Sequence, residues 1–388
     1  MKMYSVLVTF LISGTLSINA VAAATETTVP DPFQRFDANS KLTIDYRDLD
    51  SLLDTVVLYT GRSDRKKADA IRAQTGTRMK LKVNRSTVNE GNRFYFEVFD
   101  DNADNLQTLR KIRTRLESIP SAVPLEKFSR DEQLAYWLNL YNITIIEQIA
   151  MIYPKPELED LLVGKDSVLA KKLLTVAGVP LSLDDIQFTV LKQNYENDPL
   201  VIYGLFQGVI GGPSIRKSAY TGKYVYADLI DNAMEFINSN RGTESKNRKV
   251  FRVSSLYERN AAFFPDFEAD LGEHLLSYLE GEQRSELQAA KTIRPDISDW
   301  TITDLYGSSR DLGASLASNT AALDGAVSGG NSSRLTTNAA ATTRYNPAVL
   351  KRLNELNRKR AEERTGTVTI EEMGENPEAT EKDDKDGQ

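Results

Sequence analysis

Apolar positions recur at helical spacing through most of the chain. Over residues 45–59, Leu49, Leu52, Leu53, Val56 and Val57 share one face. Residues 106–116 repeat the pattern until Ile119-Pro120, where a proline predicts the stop. The longest run, residues 130–153, predicts a central helix closed by Pro154. Residues 183–191 predict a short helix with Ser182 as its cap, and residues 226–237 and 267–279 are amphipathic. Strand-like alternation is rarer. Residues 79–83 alternate, residues 93–99 are rich in aromatics, and Asn89-Glu90-Gly91-Asn92 between them reads as a turn, which predicts a hairpin. Residues 250–253 form a third, short strand candidate. The sum is an α+β fold: a mainly helical single domain with a small sheet, followed by a disordered linker and one C-terminal helix.

Hydropathy also divides the chain. Lys2 precedes a short apolar run that ends in small residues around Ala20 to Ala24, so residues 1–24 read as a secretory signal peptide. Residues 25–40 are a polar lead-in, and residues 41–306 carry dense apolar periodicity with short interruptions, the globular domain. Residues 307–343 are rich in Ser, Ala, Gly, Asn and Thr, a low-complexity linker with too little apolar surface to order itself. Asn346-Pro347 then opens a basic helix within residues 344–366, with Val349, Leu353 and Leu356 on one side. Residues 367–388 are an acidic tail, expected to be disordered. No later run approaches the roughly 20 apolar residues of a membrane span, so the mature chain is expected to make no stable membrane insertion. In a Gram-negative host the protein would be periplasmic.

Composition narrows the chemistry. No cysteine is present, so disulfides and thiol nucleophiles are excluded together. The single histidine, His274, disfavours histidine-based metal cages and most acid–base relays, so neither a metal nor a cofactor is expected. Its place in an amphipathic helix suggests a solvent-facing or capping role. A formal net charge of −7 argues against nucleic acid as a partner. Much of that charge is local: from Glu371 to Gln388 there are eight acidic residues against Lys382 and Lys385. The basic helix at residues 344–366 is the candidate surface for a protein partner.

Candidate site residues lie within the globular part. Asn139 and Asn142 stand three apart in Trp137-Leu138-Asn139-Leu140-Tyr141-Asn142, so both amides share one face of an otherwise apolar helix. They either tether a neighbouring loop or, with Tyr141, line a site. Asp184 and Asp185 follow Ser182-Leu183 at a helix start, where acids complement the helix dipole or act as functional carboxylates. Gly208-Val209-Ile210-Gly211-Gly212-Pro213-Ser214 is a glycine-rich turn. Gly212 could approach an anion, but Pro213 stands where a phosphate loop needs lysine. Ser214 is a conceivable nucleophile without a Gly-x-Ser-x-Gly context or an evident base. Asp299 and Trp300 end the globular part, the tryptophan docking the last strand and the carboxylate meeting backbone or a pocket. Arg62 and Arg65 could bind an anion, with solvated surface charge as the plainer role.

These pieces, in this order, resemble domain-of-unknown-function family 547 over about residues 125–305. Besides the helix with Trp137 to Asn142, the resemblance rests on residues 181–186, on residues 201–215 as an apolar strand and Gly/Pro loop, on residues 253–257 with Asp266-Phe267, and on Ser298-Asp299-Trp300. The family carries no established general activity. It often shows Glu-His after the Asp-Asp-Ile motif, Arg and His leading into the apolar strand, and Cys before the loop proline. Gln187, Phe188, Leu200, Ile202 and Gly212 stand there in this chain. The resemblance thus implies a scaffold kept while reactive groups are replaced.

Two readings of different class follow. The favoured one is an exported, non-catalytic binding or scaffolding protein on a pocketed fold. The alternative is a periplasmic hydrolase or transferase in which Asp184, Asp185 or Asp299 works with Asn139 and Asn142, since paired carboxylates support acid–base chemistry without histidine.

Overall fold

The computed structural model describes residues 28–67, 84–88, 90–100, 102–247, 249–305 and 370–371. In chain order these form β1 (Thr43–Ile44), α1 (Arg47–Val56), β2 (Val57–Leu58), β3 (Arg93–Phe94), α2 (Ala103–Ala122), α3 (Arg130–Ile152), α4 (Glu159–Leu162), β4 (Leu174–Val176) and β5 (Val179–Leu181). They continue with α5 (Lys192–Asn194), α6 (Val225–Ile237), β6 (Thr243–Asn247), β7 (Val250–Ser254), α7 (Ser255–Arg259), α8 (Phe267–Tyr278), α9 (Gly281–Ala289), β8 (Thr292–Ile297) and β9 (Ile370–Glu371). The result is a mainly helical α+β domain. Among the described residues the sheets are small: three two-stranded pairs, β1-β9, β2-β3 and β4-β5, and one three-stranded sheet, β6-β7-β8, with β6/β7 antiparallel and β7/β8 parallel. The expected export segment, the strand at residues 79–83, the linker, the basic helix and all of the tail except Ile370–Glu371 lie outside the described residues.

The fold is organised around α3. A helix apolar on every side must be covered on every side, and 18 of its 23 residues are buried. Its buried acids and amides are tied to neighbouring elements. Ser129 caps it by accepting from the Glu132 N–H at 3.2 Å. The Glu132 carboxylate accepts from the Ile44 and Gly222 N–H groups, each at 3.0 Å, and so holds β1 and a distant turn against the helix. Glu147 accepts from Arg110 Nε at 2.9 Å and Arg113 Nε at 2.5 Å, fixing α2 alongside. The lead-in is part of this core: Phe33 is fully buried and meets the Trp137 ring edge-on at 5.0 Å.

Several local expectations change. The first helix ends at Val56, because Val57–Leu58 leaves it to pair with Arg93–Phe94. Among the described residues Arg93–Phe94 pairs with β2, and the aromatics from Phe96 to Phe99 form a 3-10 turn. Pro120 lies inside α2 near its end, where the bond it removes belongs to a fraying turn. The apolar run at residues 201–206 is a 3-10 turn (Pro199–Gly204), not a strand. Residues 185–191 form a π-helical segment that runs into α5. The β4-β5 hairpin went unpredicted although its two-residue loop, Ala177-Gly178, has positive φ at both positions, 48° and 80°. Among the described residues no helix is long and apolar enough to cross a membrane.

Candidate functional site

Asn139 and Asn142 each grip backbone. Asn139 donates from Nδ2 to the Tyr220 carbonyl at 2.8 Å and accepts at Oδ1 from the Tyr220 N–H at 2.9 Å. Asn142 donates to the Gly204 carbonyl at 2.9 Å and accepts from the Phe206 N–H at 2.8 Å. The segment between these anchors carries the glycine-rich turn. That turn lies on the last strand-like stretch of the domain: the Ile210 N–H donates to the Thr301 carbonyl at 2.8 Å, and the Gly211 N–H to the Asp299 carbonyl at 2.8 Å. A Cβ on Gly211 would stand 2.7 Å from the Asp299 backbone, so the approach requires glycine.

The remaining candidates fall into groups. Gly212 and Ser214 meet around Arg241, a fully buried side chain that the sequence reading missed. Arg241 donates to the Gly212 carbonyl at 2.8 Å and to Ser214 Oγ at 3.2 Å, and pairs with Glu235. Ser214 Oγ also accepts from the Asn92 N–H at 3.0 Å. Asp299 accepts from Thr87 Oγ1 and, at 3.1 Å, from the Thr301 N–H, which ties it to a neighbouring loop. Asp185 closes its own helix start: it accepts from the Ser182 N–H at 2.5 Å and pairs with Lys172 at 2.5 Å, while Ser182 Oγ accepts from the Asp185 N–H at 3.0 Å. Burial opposes its ionisation, but the Lys172 and Ser182 bonds outweigh that and hold its pKa below the usual carboxylate range.

Trp300 packs against Arg259, the second residue missed, and Tyr141 feels the charges of Arg259 and Asp184. Arg259 stands over the Trp300 ring at 4.6 Å, donates to Gln207 Oε1 at 2.9 Å and to Ser255 Oγ at 3.0 Å. Burial lowers its pKa to about 10. Burial raises the Asp184 carboxyl, with Asp185 adding to the effect. Burial also pushes the Tyr141 hydroxyl well up, Asp184 reinforcing and Arg259 opposing it. The signal for Arg259 lay two residues beyond Tyr257, in a segment whose motif stopped short of it.

Next to Ser214 opens a cleft of about 280 Å³, walled by Tyr59, Arg62, Asn92, Arg216, Lys217, Ser218, Asp231, Asn232 and Glu235. Arg62 therefore faces a cleft, whereas Arg65 turns inward and donates to the Thr243 carbonyl at 2.8 Å, a structural tie in place of surface charge. Among the described residues no group of histidine, aspartate and glutamate could hold a metal ion. His274 is not solvent-facing. It bonds Tyr203 Oη at 2.8 Å through Nε2 and stacks on that ring at 5.7 Å, with Phe264 and Tyr278 closing the box.

Residues 125–237, which include this helix, its two amides and the loop they hold, match the family described as protein of unknown function, DUF547. That match takes in α3, the acidic helix start and the glycine-rich loop and ends with α6; Arg259, Asp299 and Trp300 lie beyond it. No curated protein matches the chain. No solved structure matches it.

Proposed function

We propose that this is an exported, non-catalytic binding protein, directed out of the cytoplasm by residues 1–24, that holds a small polar solute in the cleft beside Ser214. The carrying observation is the cleft itself: about 280 Å³ walled by charged and amide side chains, slightly below the range of drug-sized sites and suited to a small polar molecule. Ser214 supports binding over chemistry. Its Oγ accepts from the Asn92 N–H and from Arg241, and the single histidine of the chain is bonded to Tyr203 instead. Two of the three acids of the alternative reading support it too, since Asp185 and Asp299 are bound to neighbouring backbone and hydroxyl groups.

Ser218 is exposed on the rim of the cleft, so Ser218→Trp obstructs it without touching a buried bond. Thermal-shift titration of the mature protein with anionic, zwitterionic and neutral polar solutes should find at least one that raises Tm, and Ser218→Trp should remove that rise. No stabilising solute, or one that stabilises the Ser218→Trp variant equally, defeats the reading. Residues 344–366 are proposed as the docking segment for a protein partner, and removal of residues 344–388 should abolish co-purification of that partner; unchanged co-purification sinks that role.

A further inference from the structure

The cleft beside Ser214 has charges of both signs on its walls, and their ion pairs tell them apart. Each cation of the lining is taken by an acid that stands outside the lining. Arg216 pairs with Asp228 at 2.6 Å, Lys217 with Asp54 at 2.5 Å, and Arg62, more loosely, with Glu280 at 3.8 Å. The acids of the lining, Asp231 and Glu235, stand one turn apart on one face of α6. Glu235 gives Oε2 to the buried Arg241, and its Oε1 accepts from no described residue. Asp231 is exposed and has no ion pair among the described residues. Between them lies Asn232, only 6% exposed yet part of the same wall. Its Nδ2 donates to the Tyr203 and Ser214 carbonyls at 3.0 and 3.2 Å and to Tyr220 Oη at 3.0 Å. Its Oδ1 accepts from no described residue, which leaves that oxygen to the cleft.

The wall formed by α6 thus presents acceptors without donors, and the charge without a counterpart is negative. An anion entering here would have to draw Arg216 or Lys217 away from their acids and would face Asp231. A cation meets open acceptors. Among the described residues no group of acids and histidine could hold a metal ion, which points to an organic cation. An ammonium group has three N–H donors and no acceptor, the complement of this wall. Tyr59, 63% exposed at the same cleft, offers a ring face to such a cation and its carbon chain. We propose that the cleft recognises its solute through a primary ammonium group, which donates to Asp231, Glu235 Oε1 and Asn232 Oδ1 beside the Tyr59 ring. The inference rests on the cleft being a binding site and adds the chemical class of what it binds.

Butylammonium, γ-aminobutyrate, butyrate and butanol share a four-carbon chain and differ in its ends. Each is titrated into the mature protein by calorimetry at constant ionic strength. The expected result is saturable binding of the two ammonium compounds, at least about tenfold tighter than butyrate or butanol. Asp231→Asn should weaken it at least about fivefold, and Ser218→Trp should abolish it. Asp231→Asn is a near-isosteric change at an exposed position, so the variant keeps its fold, and an unchanged Tm checks this. Butyrate or butanol binding as tightly as butylammonium, with Ser218→Trp removing it, overturns the ammonium assignment and leaves the cleft as a binding site. Full affinity in Asp231→Asn does the same. Ammonium binding that survives Ser218→Trp lies elsewhere and overturns the proposal. So does the absence of binding by all four compounds, whereas the cleft itself loses its role only if the wider panel of solutes is silent too.

Discussion

His274 gives the most direct test of the packing, because it is the single histidine of the chain and its titration has no competitor of its kind. Burial among Tyr203, Phe264 and Tyr278 lowers its pKa from 6.5 to about 4. The folded state therefore binds this proton less tightly than the unfolded chain. The resulting stability is fully present above 6.5 and is lost as pH falls from there through about 4. At about 1.4 kcal/mol per unit, that drop corresponds to about 3 kcal/mol, and partial exposure of the ring brings the expectation to about 2–3 kcal/mol. The comparison is with His274→Phe, which keeps an aromatic ring in the box and leaves Tyr203 Oη its bond to Tyr257 at 3.2 Å. Buried carboxyls such as Glu90 and Glu132, raised chiefly by burial, change stability with the opposite sign, but they titrate in both proteins and cancel in the difference. Urea unfolding followed by circular dichroism, from about pH 7 to about pH 4.5, should show the wild type losing about 2 kcal/mol relative to the variant. A stability difference that stays flat with pH would refute the argument that the imidazole is held neutral by burial.

Asn139→Ala removes both bonds to Tyr220 and leaves a buried N–H and carbonyl unpaired; about 2–4 kcal/mol and a fall in Tm of several degrees are expected by calorimetry, and an unchanged Tm would show the amide is dispensable. Gly211→Ala drives a methyl into the Asp299 backbone; a loss of about 1–3 kcal/mol should appear in urea unfolding, and a neutral result would mean the loop can lift from residues 299–301. Asp185→Ala removes the reciprocal bonds with Ser182 and the Lys172 pair; about 1 kcal/mol should be lost at neutral pH and little at low pH, where the carboxyl is protonated in both states.

The central helix was legible because apolar residues dominate a stretch far longer than a strand, and Pro154 marks its end. Local rules failed where tertiary contacts overruled them. Residues 201–206 are apolar enough for a strand, yet Asn142 takes the backbone of Gly204 and Phe206 that a sheet would need. Pro120 read as a stop because position within the last turn is invisible to composition. Of the candidate residues, the two asparagines were visible through their helical spacing, and their partners, Tyr220 and Gly204, were not, since these lie 62 to 81 positions away in the chain. Arg241 and Arg259 escaped notice for a related reason: a buried arginine looks like any surface arginine until its neighbours are known.

The two asparagine clamps also bear on how this fold can vary. They stand one turn apart on α3, about 4.5 Å along its axis, and between them they hold both ends of residues 204–220. Between these roots the loop's path is held again where Ile210 and Gly211 bond residues 301 and 299 and where Arg241 bonds Gly212 and Ser214. Positions on its exposed rim, such as Ser218, can therefore be exchanged while the frame beneath stays put. In engineering terms α3 is a fixed mount, and only the outer rim of what it carries is open to exchange.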